Sequence, residues 1–64
     1  MTTCFQIIDG NTERSIMVVK GEAADLALNK LADARGPEGI TKMIESGEME
    51  IVEYNGEHYF NLYI

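Results

Sequence analysis

Asn55 and Gly56 stand between two runs, residues 48–54 and 57–64, in which apolar and polar side chains alternate. A two-residue type I′ bend needs positive φ at both central positions, which Asn and Gly tolerate better than other residues do. Such a bend fixes the register. Tyr54 pairs with Glu57, Glu53 with His58, Val52 with Tyr59, Ile51 with Phe60 and Met49 with Leu62. Successive strand side chains point to opposite sides, so Met49, Ile51, Phe60, Leu62 and Ile64 share one face. Glu48, Glu50, Val52, Tyr54, Glu57, Tyr59 and Tyr63 share the other. The first set reads as a core face, the second as an acidic surface that carries all three tyrosines.

A second hairpin is expected from residues 4–9 and 14–19, with Gly10, Asn11, Thr12 and Glu13 as turn formers between them. A four-residue loop sets Asp9 opposite Arg14, Ile7 opposite Ile16 and Phe5 opposite Val18. That register joins opposite charges at the loop end and stacks four apolar side chains on one face. A tighter Asp9-Gly10 turn would instead oppose Phe5 to Arg14. On the preferred register, Cys4, Ile8, Met17 and Val19 join the tyrosines on the outer face.

Between the hairpins the period changes from two to 3.6. Ala24, Ala27, Leu28, Leu31 and Ala34 form one stripe, with Leu26 off it, and predict a helix over residues 22–35. Glu22 and Asp25 suit its first turn and Arg35 its last. Pro37 can open a shorter helix, since it lacks only a donor that is orphaned there anyway. Ile40, Met43 and Ile44 give that helix an apolar side, and Gly47 ends it. The order β-β-α-α-β-β predicts a small α+β two-layer sandwich: a four-stranded antiparallel sheet with one main and one short helix on one face. Its expected core is Phe5, Ile7, Ile16, Val18, Leu28, Leu31, Ile40, Ile44, Met49, Ile51, Phe60 and Leu62. Strand order cannot be read from pattern.

Sixty-four residues make a single compact domain, and one this short buries only about 60% of its unfolded surface. One cysteine cannot form an internal disulfide, which fits a reducing compartment. No charged segment followed by a long apolar run opens the chain, and the longest apolar stretch, residues 16–19, is far too short to span a bilayer. The expectation is a cytoplasmic protein with no membrane role. Eleven acids against five bases give a net charge of −6. Glu38, Glu45, Glu48, Glu50, Glu53 and Glu57 crowd residues 36–64, where Lys42 is the only base. That surface repels phosphates and favours basic partners.

Catalytic chemistry finds little support. His58 opposite Glu53 is the one plausible acid–base pair, but the turn end of a small sheet encloses nothing beside it. Cys4 reads as a partly buried thiol, prone to oxidation-driven dimerisation during handling. Gly36-Pro37-Glu38-Gly39 lacks the Lys and Ser/Thr of a phosphate loop, and no spacing suggests a metal site or a cofactor. A winged helix–turn–helix would share the order of elements. Its reading helix would then offer Thr41, Lys42, Glu45 and Ser46, followed by a glutamate-rich hairpin, a poor match to DNA.

What remains is binding. The expected partner site is Glu48, Glu50, Val52, Glu53, Tyr54, Glu57, Tyr59 and Tyr63. Tyrosines would anchor and glutamates would steer toward a protein with a basic surface, such as a nucleic-acid-binding enzyme. In size, acidity and lack of catalytic groups the chain is similar to small phage-encoded inhibitors such as anti-CRISPR proteins. That similarity, one of bulk properties, implies a non-enzymatic inhibitor or modulator. The alternative is a self-association module, a homodimer closed through the outer sheet face or through the edge strands.

Overall fold

The structure, a computed structural model, describes residues 2–64. The chain runs β1 (Thr2–Ile8), β2 (Ser15–Lys20), α1 (Glu22–Arg35), α2 (Gly39–Ser46), β3 (Met49–Tyr54) and β4 (Glu57–Tyr63). The element order and the C-terminal register agree with the sequence reading pair for pair. Asn55 and Gly56 take positive φ, 50° and 76°, as the two-residue bend requires.

The sheet is mixed rather than antiparallel throughout. Its order is β2-β1-β4-β3, and the central pair β1·β4 is parallel, with Phe5 beside Phe60 and Ile7 beside Leu62. Each hairpin is antiparallel within itself, and the two lie side by side with their inner strands running the same way. The helices supply the crossover that parallel neighbours require.

The N-terminal hairpin departs from expectation at one residue. At its loop end the four-residue turn is present: the Asp9 amide bonds the Arg14 carbonyl at 2.9 Å, and Ile8 pairs with Ser15. The register then slips, so that Ile7 pairs with Met17 and Phe5 with Val19, leaving Ile16 as a bulge. One inserted residue reverses the facing of everything after it. Val19 therefore packs against the core, and Met17 shares its side of the sheet. Val18 and Ile16, expected inside, are 46% and 57% exposed.

The core is built on Phe5, Ala24, Met43 and Met49, with Ile7, Val19, Ala27, Leu28, Leu31, Ile40, Phe60 and Leu62 packed around it. Alanine at position 24 brings α1 close to β1. Ala34 falls outside this cluster and is exposed. Ile44 and Ile51, both expected inside, are exposed as well, because α2 covers Met49 but not the flank of β3 beyond it.

Pro37 lies in the turn before α2, not at its first position; the helix starts two residues later. Gly39 occupies that start because a Cβ there would collide with Cβ of Arg35. Gly47 ends α2 in the left-handed region (φ 86°), as expected for a C′ glycine.

Candidate functional site

Both helices pack on one side of the sheet, and no described element covers the other side. Pairing and alternation place the residues of this open side in rows that run from β2 to β3. Lys20, Cys4, Tyr59 and Val52 form one row, and Val18, Gln6, Asn61 and Glu50 the next. Ile8 lies beside Tyr63 below them, and Thr2, Glu57 and Tyr54 lie above.

Two polar clusters organise this face. Gln6 Nε2 donates to Asn61 Oδ1 at 3.0 Å across the parallel pair, and Asn61 is only 9% exposed. Above it, the Glu57 carboxylate accepts from three side chains. Lys20 Nζ lies 3.2 and 3.3 Å from its two oxygens, the Tyr59 hydroxyl 3.2 Å and the Cys4 thiol 3.5 Å. The hydrogen bond from Lys20 holds the Glu57 carboxyl below its ordinary range, and the same contact raises the Lys20 ammonium. Burial pushes the Cys4 thiol and the Tyr59 phenol up, and the negative charge of Glu57 adds to both.

Tyr63 donates to Glu50 Oε2 at 2.8 Å, which keeps the phenol neutral above its ordinary range. Tyr54 makes no side-chain hydrogen bond among the described residues and is 64% exposed. With Gln6, Val52, Tyr59 and Asn61 it lines a shallow, open depression.

Six of the eight expected partner residues thus lie on one face: Glu50, Val52, Tyr54, Glu57, Tyr59 and Tyr63. The other two lie elsewhere. Glu53 pairs with His58 on the helix side of the sheet, carboxylate to imidazole at 3.7 Å. Glu48 precedes β3, and its carboxylate turns to Ser46 Oγ at 3.3 Å and to Arg35 at 3.6 Å, at the ends of the two helices.

Sequence reasoning missed Gln6, Asn61 and Lys20. The available signal was a carboxamide in the middle of each of two otherwise apolar runs, but only the parallel pairing brings the two together.

Among the described residues, no group of three or more His, Cys, Asp or Glu could hold a metal ion. No helix is long and apolar enough to cross a membrane. Comparison with protein-family models, curated proteins and solved structures finds no match.

Proposed function

We propose that this chain is a non-enzymatic binding module whose open sheet face docks on a basic surface of a larger protein, and that it inhibits or modulates that protein. One observation carries the reading: three tyrosines and Val52 share, with two carboxylates, a sheet face that neither helix covers. Tyrosine offers contact area, few rotors and a hydroxyl, which is why it is enriched among interface anchors.

The carboxylates divide their roles. Glu57 is already paired with Lys20, so Glu50 is the acid with more capacity left for an incoming Lys or Arg. Glu48 and Glu53, off the face, contribute through the net charge of −6, which steers a basic partner within about a Debye length of 8–10 Å. A nucleic-acid-binding protein suits this chemistry, because its binding groove is already basic. The only histidine stands against Glu53 with both side chains substantially open to solvent, His58 at 44% and Glu53 at 64%, and this supports binding rather than acid–base catalysis.

Exposed Val18 favours a second reading, in which two copies close face to face as a homodimer. A four-stranded face of about 19 by 20 Å projects roughly 400 Å². Closing it face to face would also oppose two chains that each carry a net charge of −6. A larger partner with a basic surface is therefore preferred.

Photo-crosslinkers at positions 18 and 54, on opposite flanks of the face, test the proposal, with position 26 on the outside of α1 as control. In lysate of the native host, both flanks should capture one basic protein, less at high salt, and position 26 should not. Capture of the chain by itself would establish the dimer. Equal capture from position 26 would defeat both readings.

A further inference from the structure

The open face leaves one feature unused: the outer edge of β3. Strand β3 closes the sheet on its side, and its pairing with β4 is regular from Met49 to Tyr54. The opposite edge, β2, is broken by the bulge at Ile16, a device that disrupts strand addition. The Tyr63 amide bonds the Glu48 carbonyl at 2.8 Å. Antiparallel alternation then directs the amides and carbonyls of Glu50, Val52 and Tyr54 toward β4. Those of Met49, Ile51 and Glu53 point outward, to an edge with no described strand beside it.

The side chains flanking this edge differ on its two sides. On the helix side, Ile44 and Ile51 are exposed apolar groups; with Gly47, Met49 and, from the open side, Glu50 and Tyr63, they line an open groove around the start of β3. On the open side stands Glu50, and Glu53 follows Ile51 on the helix side. The strand contains no Lys or Arg. A second copy is a poor occupant. Antiparallel β3–β3 pairing would put two glutamates on each face of the joined strands, the Glu50 side chains on one and the Glu53 side chains on the other, with no base on either strand to offset them.

We propose that the β3 edge is a β-augmentation site for an extended segment of another protein, one that alternates basic and apolar side chains. Its backbone pairs with Met49, Ile51 and Glu53. An apolar side chain lies over Ile51 and Ile44, and a Lys or Arg on the other side meets Glu50. Main-chain bonds supply affinity in this mode, and the alternate pockets supply specificity. The site uses different atoms from the open face, and either can fail alone. A face partner is captured from positions 18 and 54, an edge occupant from 54 only.

The probe is a synthetic peptide of about ten residues alternating lysine and valine; its control has the same composition with the lysines in one block. Titration followed by amide NMR should shift Met49, Ile51 and Glu53 and slow their hydrogen exchange. The block peptide should not do so. Ile51→Pro removes an outward amide without touching the β4 ladder, and Glu50→Lys with Glu53→Lys reverses the charge; each should weaken binding by about tenfold or more. If Ile51→Pro fails to fold, exchange protection in the unaltered chain and the charge-reversed variant decide. Equal binding of the block peptide, shifts centred on β2 or spread over the open face, or undiminished binding by a folded Ile51→Pro variant would overturn the proposal.

Discussion

Gln6 Nε2 donates to Asn61 Oδ1 at 3.0 Å, joining two strands whose residues lie 55 apart in sequence at the middle of an otherwise uncovered sheet face. Deleting one amide leaves the other, half-buried, without its partner. We expect Asn61→Ala to cost about 1–3 kcal/mol, and the double change Gln6→Leu with Asn61→Leu to cost less than the two single changes summed. Urea unfolding of the double-mutant cycle measures the coupling. Strict additivity would mean that the pair contributes nothing.

The Glu57 cluster sets a window of pH stability. Glu57 titrates lower in the folded chain than unfolded, so its contribution is complete above about pH 4.5 and is lost as pH falls through the folded value. Lys20, Cys4 and Tyr59 all titrate higher when folded. Their contributions hold below the ordinary values of 10.5, 9.0 and 10.0 and are lost as pH rises through the folded ones. Thermal unfolding across pH should show a plateau with a fall on each side, and Glu57→Gln should shallow the acid limb. An acid limb of unchanged slope in that variant would remove Glu57 as a source.

Cys4 is 0% exposed, where the sequence suggested a partly buried thiol prone to oxidation. A neutral, covered thiol reacts only when the sheet opens. Labelling by a disulfide reagent should be slow in the native chain and should track unfolding as denaturant is added. Tyr59→Ala, which removes the side chain beside the thiol on the neighbouring strand, should speed it by an order of magnitude or more. Prompt stoichiometric labelling of the native protein would contradict this packing.

Gly39 opens α2, where alanine would ordinarily favour the helix by up to about 1 kcal/mol. Here the added methyl meets the Cβ of Arg35. Gly39→Ala should therefore destabilise by about 1–3 kcal/mol, the usual cost of overpacking. A rise in melting temperature would show that the corner between the helices relaxes freely.

The parts of this fold that sequence revealed are those set by neighbours. Asn55-Gly56 dictates the C-terminal pairing, so the facing of Met49 through Tyr63 could be read directly. The apolar stripe of α1 announced that helix just as locally, up to Ala34. In the N-terminal hairpin the loop end was legible from Asp9 and Arg14, but the bulge at Ile16 carries no residue signal, and it moved Val19 inward and Val18 outward. The parallel pairing of β1 with β4 was illegible for a different reason: it is a contact between distant segments, and each strand alone would satisfy either direction. The candidate face followed the same division, with the tyrosines found from alternation while Gln6, Asn61 and Lys20 emerged only from the assembled sheet.

That central parallel contact also governs how the molecule comes apart. Each hairpin can zip from its own turn, yet an isolated two-stranded ribbon is at best marginal in water. The seam between them forms only when a span of roughly fifty residues closes, the slow, entropically costly step in such topologies. Part the seam and neither ribbon keeps a sheet for the helices to rest on, so the chain melts as one unit.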